Sequence, residues 1–218
     1  MTTARAVLWD LDGTLVDSAG YHWRAWRDTM KAEGIDLAHE TFLDSFGRTN
    51  ASFLGGWLGD AATGERIARI GDAKESDYRR LVAAGGLSPL PGAAAWVARL
   101  HAAGWRQAVA SSAPRANVEV MLRAASLDRA FDAIVGAEDV TEGKPDPQVF
   151  LAAASALAVP PSRCIVVEDA AAGIEAARRA GMRCVGVSGT SVLPADVFVR
   201  SLDQLHAGAF EALLRDRA

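Results

Sequence analysis

The sequence has 218 residues, of which 50% are hydrophobic and 23% are charged, and this composition excludes a disordered or fibrous protein. Its length fits one domain with an insertion, or one large and one small domain, because domains run to about 100–200 residues. The 23 Lys and Arg residues are balanced by 27 Asp and Glu residues and form no long basic run, so nucleic acid is not an expected partner.

The first half of the chain predicts one strand and then a helical insertion. An apolar run predicts a strand over Ala6–Trp9, whereas residues 17–82 show helical periodicity in three segments and no convincing strand (21–33, 52–58 and 64–82). We therefore predict an all-helical domain over residues 17–83. Its hinges are expected at 17–20 and at 83–90, and two hinges on one insertion are typical of a lid.

The second half of the chain alternates helices with strands. Helices are predicted over residues 91–103, 114–125, 146–158 and 170–180, and strands over residues 107–110, 133–135, 164–167 and 184–187. Such alternation indicates right-handed crossovers between parallel strands. The predicted fold class is α/β, with a Rossmann-like parallel sheet flanked by helices, formed by residues 1–16 and 84–218.

Polar residues follow the predicted strands, at the edge where open parallel sheets bind ligands. Alternation along the first strand directs two carboxylates to the same side, and the Gly13 that follows permits a tight turn. Taken singly, each residue has an ordinary explanation as a turn residue, a helix cap or a solvated side chain. Their recurrence at successive strand ends favours a functional site built from Asp10, Asp12, Ser111, Ser112, Lys144, Glu168 and Asp169.

Four motifs in this order resemble those of the haloacid dehalogenase-like hydrolase superfamily, over essentially the whole chain. They are DLDGTL at residues 10–15, VASSA with Ser111, GKPDP with Lys144, and VVEDAAAGIEAARRAG with Glu168 and Asp169. The resemblance implies that Asp10 is a nucleophile that forms an aspartyl-phosphate. It also implies that Asp12 is the general acid and base, and this second Asp favours phosphoryl transfer because dehalogenases lack it.

The resemblance further implies a Mg²⁺ cofactor, since this ion prefers carboxylate and phosphate oxygens. The implied ligands are Asp10, the backbone carbonyl of Asp12 and Asp169, with Glu168 as an additional or water-mediated ligand. Lys144 would supply positive charge near the transferring group. Ser111, together with the N–H groups of the helix that follows, would hold phosphoryl oxygens.

The helical insertion resembles the cap of the subgroup that contains β-phosphoglucomutase and small sugar-phosphate or polyol-phosphate phosphatases. His22 in YHWRAW and Lys74 in KESDY match residues that couple cap closure to substrate placement in the mutase. The alternative is that His22 packs in a helix interface and Lys74 is solvated.

The cap loop SFGRTN, residues 45–50, departs from the mutase pattern. The two cations that bind the non-transferring phosphate in the mutase are replaced here by Phe46 and Asn50, which favours hydrolysis over mutase chemistry. Arg48 remains as the nearby cation, a candidate contact for a polar substrate end or a partner for a surface acid. Ser112 and Asn117, after the second motif, are further candidates for substrate binding.

These patterns predict a Mg²⁺-dependent phosphatase that hydrolyses a small phosphorylated metabolite, a sugar or polyol phosphate. A β-phosphoglucomutase-like phosphomutase is the main alternative. A non-catalytic binding module with the same fold would be expected to have lost at least one motif, and all four are intact. A phosphonate or pyrophosphate hydrolase of the superfamily needs other cap features, although Lys31 leaves it open.

The remaining features predict a cytoplasmic monomer without a membrane partner. The apolar stretch around residues 93–110 is interrupted by Arg99, His101 and Arg106, well before the ~18 uncharged residues of a membrane span. The amino terminus lacks the features of a signal peptide. Cys164 and Cys184 lie beside apolar runs without a nearby His or Cys at metal-ligand spacing, so we expect two reduced, buried thiols.

Overall fold

The structure is a computed structural model that describes residues 4–43 and 50–215. Its internal contacts divide the chain into two compact units. One comprises Met1–Asp17 and Leu87–Ala218, and the other comprises Ser18–Gly86. The first unit carries a β-sheet, whereas the described part of the second unit is helical.

The strands are, in chain order, β1 (Ala6–Trp9), β2 (Arg106–Ala110), β3 (Ala133–Val135), β4 (Cys164–Glu168), β5 (Arg183–Val187) and β6 (Val197–Val199). The α-helices are α1 (Ala19–Ala32), α2 (His39–Leu43), α3 (Asn50–Leu58), α4 (Gly64–Gly85), α5 (Ala93–Ala102), α6 (Arg115–Ala124), α7 (Gln148–Ala156), α8 (Ala171–Arg179) and α9 (Ala209–Arg215). Short 3₁₀ turns lie at Gly59–Ala61, Ala137–Asp139, Pro161–Arg163 and Leu202–Gln204.

Within residues 4–43 and 50–215, the six strands form one parallel sheet in the order β3-β2-β1-β4-β5-β6. The first strand of the chain is therefore central, with Val7 opposite Gln107 on β2 and Ile165 on β4. All four residues of β1 are fully buried, as expected for a strand covered on both faces. Asp10, which follows β1, consequently lies in the middle of the carboxyl edge of the sheet.

In the sheet unit, helices pack against the strands, and an aromatic cluster lies beside β1. In one apolar cluster, residues of α7 and α8 such as Phe150 and Ile174 pack with residues of the strands. In the aromatic cluster, the ring of Phe210 on α9 lies 6.3 Å from Trp9, 5.1 Å from Trp96 and 6.0 Å from Trp105 between ring centroids. This cluster anchors α9 next to β1, the strand that precedes Asp10.

Replacing Phe210 by alanine is expected to lower the free energy of unfolding by about 3–5 kcal/mol, the usual cost of emptying a buried aromatic site. Phe210 is fully buried and contacts three tryptophan rings. Urea unfolding followed by tryptophan fluorescence measures the change. Leu151→Ala, at a helix position that is 40% exposed, is the matched control and should cost much less. Equal losses for the two variants would contradict this packing account.

The second unit has its own apolar core. Helix α1 packs against α4, and the cluster includes Trp26 and Met30 from α1, Leu54 from α3 and Ile70 from α4. Helix α4 begins at a capped position, because the Thr63 hydroxyl oxygen accepts the backbone N–H of Arg66 at 3.3 Å. Helices α1, α3 and α4 thus share one apolar core.

The predicted fold class, a parallel α/β sheet with an inserted helical domain, is confirmed. Sequence reasoning did not predict β6, α2 or α9. The two helices, of five and seven residues, are too short to show a helical period. Cys164 and Cys184 are buried free thiols, as expected, and burial raises the pKa of Cys164 to about 12. No helix within the described ranges is long and apolar enough to cross a membrane.

Candidate active site

The turn after β1 carries the first acidic pair, Asp10 and Asp12. The backbone N–H of Asp10 donates to the carbonyl of Val167 at 2.9 Å and so continues the sheet pairing with β4. The N–H of Gly13 donates to the carbonyl of Val16 at 2.8 Å. Gly13 has a φ of +84°, and a Cβ atom there would overlap the carboxylate of Asp169. Glycine is therefore required both by the turn and by the approach of Asp169.

Lys144 reaches the end of β1 from the loop that precedes α7. Its ammonium group donates to Asp10 Oδ1 at 2.6 Å, to Glu168 Oε1 at 2.8 Å and to the carbonyl of Ala110 at 3.2 Å. Burial by itself would lower the pKa of Lys144, but the charges of Asp10 and Glu168 raise it above its ordinary value. The largely buried ammonium group of Lys144 is thus held against the carboxylate that follows the central strand.

Two further carboxylates, those of Glu168 and Asp169, lie at the end of β4. Glu168 is almost fully buried, and its second oxygen, Oε2, accepts the N–H of Ala170 at 2.8 Å. Asp10, Glu168 and Asp169 each offer an oxygen within 4.8 Å of the others. Burial, with the neighbouring Glu168 charge, raises the pKa of Asp169 to about 7. Burial also raises the pKa of Asp10 well above its ordinary value, although Lys144 opposes the shift.

This carboxylate cluster can hold a metal ion. All of its donors are oxygens, the ligand type that hard divalent cations such as Mg²⁺ prefer. Burial, and after it the neighbouring carboxylate charges, raises the pKa values of Asp10 and Asp169, although Lys144 opposes both shifts. A bound divalent cation would supply the missing positive charge, so the residues fit such an ion.

The serines and Asn117 lie beyond β2, the neighbour of β1. Ser111 is buried, its N–H donates to the carbonyl of Val135 at 3.0 Å, and its hydroxyl oxygen accepts the N–H of Ala113 at 3.0 Å. Ser112 is exposed. Asn117 is fully buried on α6. A direct contact between the Asn117 side chain and the substrate stays a prediction. The complete burial of Asn117 argues against such a contact.

The helical unit brings two of the other predicted residues together. Lys74 is buried on α4, and its ammonium nitrogen lies 3.0 Å from His22 Nδ1 on α1. The ring of His22 stacks on Tyr78 with centroids 4.1 Å apart. Arg48, the remaining predicted residue, lies outside the described residues.

Some contacts at these sites were missed by sequence reasoning. Glu75 accepts hydrogen bonds from Lys74 Nζ and Asn50 Nδ2, both at 2.8 Å, through one oxygen, Oε1. The carbonyl of Ala110 accepts from Lys144. The adjacency of Lys74 and Glu75 in the sequence was the only available signal for the first contact, and no side-chain pattern signals a backbone acceptor such as Ala110.

The comparisons with known proteins agree on one family. A family model described as haloacid dehalogenase-like hydrolase matches residues 4–181. The chain is 34% identical to the β-phosphoglucomutase of Bacillus subtilis (strain 168), covering 92% of this chain and 91% of the relative. It is 32% identical to the validoxylamine A 7'-phosphate phosphatase of Streptomyces hygroscopicus subsp. limoneus, covering 92% and 95%.

A longer relative and a solved structure extend this result. The chain is 39% identical over 85% of its length to the chloroplastic SUPPRESSOR OF QUENCHING 1 protein of Arabidopsis thaliana, but spans only 18% of that protein. A variant of CbbY from Rhodobacter sphaeroides, solved in complex with xylulose-(1,5)bisphosphate, superposes with a TM-score of 0.84 at 31% identity. The match covers 93% of this chain and 96% of CbbY.

The sequence motifs and the fold therefore lead to the same assignment as the comparisons. The predicted family is confirmed, and so is the predicted enzyme class, that of a hydrolase. The chain belongs to the haloacid dehalogenase-like hydrolases.

Proposed function

We propose that the protein is a Mg²⁺-dependent phosphatase that hydrolyses a small phosphorylated metabolite, a sugar or polyol phosphate, through an aspartyl-phosphate intermediate. One observation carries this proposal. The Asp10 carboxylate lies 2.6 Å from the Lys144 ammonium group and belongs to a cluster with Glu168 and Asp169. A carboxylate flanked by a cation and a cation-binding cluster is suited to attack a phosphate group.

In the first step, Asp10 forms a bond to phosphorus while the bond from phosphorus to the ester oxygen breaks. Asp12, in its acid form, gives a proton to the leaving oxygen, so that an alcohol departs. In the second step, the Asp12 carboxylate takes a proton from water as the water oxygen attacks phosphorus. The bond between the Asp10 oxygen and phosphorus breaks as the water oxygen bonds to phosphorus, so inorganic phosphate leaves and the Asp10 carboxylate is restored.

The charges needed for these steps come from the same edge of the sheet. Lys144 offsets the charge of the transferring group and orients Asp10 through their hydrogen bond. Asp10, the backbone carbonyl of Asp12, Asp169 and Glu168 would hold Mg²⁺. When bound, this ion reduces the repulsion between the attacking carboxylate and the phosphate oxygens. The Ser111 oxygen accepts a backbone N–H, and its own proton would be donated to a phosphoryl oxygen, with Ser112 as a second hydroxyl nearby.

The substrate class is supported by the names of the relatives. They include a 7'-phosphate phosphatase, a β-phosphoglucomutase and a protein solved with xylulose-(1,5)bisphosphate, all of which concern small phosphorylated molecules. We propose that the helical unit acts as a lid and recognises the rest of the substrate through His22, Lys74 and Arg48, with the buried Lys74 acting through its contact with His22. The proximity of Lys74 to His22 supports a joint role for these two.

A phosphomutase is the second candidate, because the Bacillus subtilis relative is one. Phosphatase activity is favoured by Asn50, which takes the place of a phosphate-binding cation in the mutase pattern. Its amide donates to Glu75 at 2.8 Å, so this position holds a neutral side chain directed at a carboxylate. A mutase must bind a bisphosphate intermediate and keep water away from its phosphoenzyme, and this position offers no charge for the second phosphate.

Phosphate release from a panel of sugar, polyol and nucleotide monophosphates tests the proposal. The reactions contain Mg²⁺ and are run with and without a glucose bisphosphate. The expected result is release from one group of sugar or polyol phosphates that does not depend on the bisphosphate. Conversion of β-glucose 1-phosphate to glucose 6-phosphate only when the bisphosphate is present would establish the mutase instead.

A further inference from the structure

Gly173, in the first turn of α8, lies directly against the side chain of Glu168. A Cβ atom built at Gly173 would overlap the carboxylate of Glu168, and would lie 2.6 Å from Glu168 Cγ. Such distances are far below normal contact between carbon atoms. The space that Glu168 occupies therefore exists only because residue 173 has no side chain.

The carboxylate in this space is the link between α8 and Lys144. Its Oε1 accepts a hydrogen bond from Lys144 Nζ at 2.8 Å, and its Oε2 accepts the N–H of Ala170 at 2.8 Å. Lys144 in turn donates to Asp10 at 2.6 Å. A chain of three hydrogen bonds thus runs from the Ala170 N–H, just before α8, through Glu168 and Lys144 to the carboxylate that we propose as the nucleophile.

The backbone of Gly173 does not explain why glycine is present. Gly173 is an interior residue of α8 and is not among the described glycines with a positive φ. Any residue can adopt such a conformation, and alanine would favour the helix more than glycine does. The observation that accounts for glycine is the close approach of Glu168.

We propose that Gly173 is a positioning residue, whose missing side chain reserves the space from which Glu168 holds the Lys144 ammonium group against Asp10. The inference rests on the proposed function, because it assigns importance to Asp10 and Lys144. Gly173 itself touches neither the substrate nor the reacting atoms, and acts through Glu168.

Gly173→Ala is the direct test. Because the end of the Glu168 side chain is more easily moved than the helix, the new methyl group should displace the carboxylate and leave the fold intact. The expected kcat falls by about 10- to 100-fold, the usual effect of losing a residue that orients a catalytic group, with little change in KM. The thermal midpoint should fall moderately, because the higher helix propensity of alanine offsets only part of the loss of the buried Lys144–Glu168 contact. Gly56→Ala in α3, where nothing lies within 4 Å of the added atom, is the matched control and should leave kcat unchanged.

A double-mutant cycle with Glu168→Ala tests whether Gly173 acts through Glu168 or through the packing of α8. If Gly173 acts through Glu168, the double variant should be no slower than Glu168→Ala alone, because the truncated side chain leaves room for the methyl group. Additive losses of activity would overturn the proposal. So would a drop in the thermal midpoint that Gly173→Ala causes equally in the wild type and in Glu168→Ala, which would show that Gly173 maintains the helix packing and does not act through Glu168.

A crystal structure of Gly173→Ala provides a readout that does not depend on activity. The distance from Lys144 Nζ to the Glu168 carboxylate should increase from 2.8 Å to beyond about 3.5 Å, where a hydrogen bond is lost. An unchanged distance would overturn the positioning role. If the wild type releases phosphate from no substrate, the proposed function fails, while this distance still decides the role of Gly173.

Discussion

Replacing Asp10 by asparagine is expected to lower phosphate release by about 10⁴-fold or more, the scale seen when a covalent nucleophile is removed. An amide cannot form the acyl-phosphate bond, yet its oxygen can still accept the hydrogen bond from Lys144 that Asp10 accepts at 2.6 Å. The fold should therefore be retained, and the thermal midpoint should stay close to that of the wild type. Steady-state phosphate release on the best substrate of the panel measures the effect.

Asp128→Asn is the matched control for this prediction, since it makes the same chemical change at an exposed position. Its activity should equal that of the wild type. If Asp10→Asn kept more than about one hundredth of the wild-type rate, other groups would be sufficient for catalysis, as in sites where binding alone gives residual activity. The nucleophile would then have to be reassigned.

Removal of Mg²⁺ by a chelator is expected to abolish turnover, and Asp169→Asn is expected to weaken Mg²⁺ binding by at least about 10- to 100-fold. Both effects are expected because the carboxylates of Asp10, Glu168 and Asp169 are crowded together, with oxygens within 4.8 Å of one another. The raised pKa of Asp169, about 7 because of burial and the Glu168 charge, shows that its ionised form is disfavoured in the absence of a cation.

Thermal unfolding gives a measure of Mg²⁺ binding that is independent of activity. A ligand that binds only the folded state raises the unfolding midpoint by mass action, so Mg²⁺ should raise the midpoint of the wild type and of Asp128→Asn. In Asp169→Asn, the same Mg²⁺ concentration should produce a much smaller rise. An equal rise in all three proteins would show that the ion binds elsewhere.

Much of the site could be predicted because its residues follow the strands directly. Asp10 follows a run of four buried apolar residues, and such a continuous run predicts a central parallel strand. The carboxyl edge of that sheet was then the expected position for Asp10 and Glu168. The structure brings these two together through Lys144. The catalytic roles assigned to them stay predictions until the variants are measured.

Other features depend on contacts between distant parts of the chain and left no periodic signal. Lys144 lies in a loop, and its bond to Asp10 spans 134 positions of the sequence. The burial of Asn117 depends on how α6 packs. A first turn of a helix looks exposed in the sequence alone, because periodicity shows which face is apolar but not which polar residues are covered.

Two glycines show the same limit of prediction from sequence. Gly13 could be anticipated because a turn between two acidic residues and an apolar run needs flexibility. Gly173 could not, since a glycine inside a helical pattern gives no indication of its neighbour. Only the side-chain positions show that Glu168 occupies the volume a Cβ atom would need.

Trapping the phosphoenzyme tests the assignment of Asp10 most directly. With an aryl phosphate, whose phenolate leaves without a proton from Asp12, Asp12→Asn should form the aspartyl-phosphate but hydrolyse it slowly, because its side chain cannot activate water. The variant is mixed with a ³²P-labelled substrate and Mg²⁺, quenched in acid and digested, and the label is mapped by mass spectrometry. We predict label on the peptide that contains Asp10, released by hydroxylamine as expected for an acyl-phosphate, and none in the Asp10→Asn, Asp12→Asn double variant. Label on another residue, or equal labelling of the double variant, would contradict the assignment of Asp10 as the nucleophile.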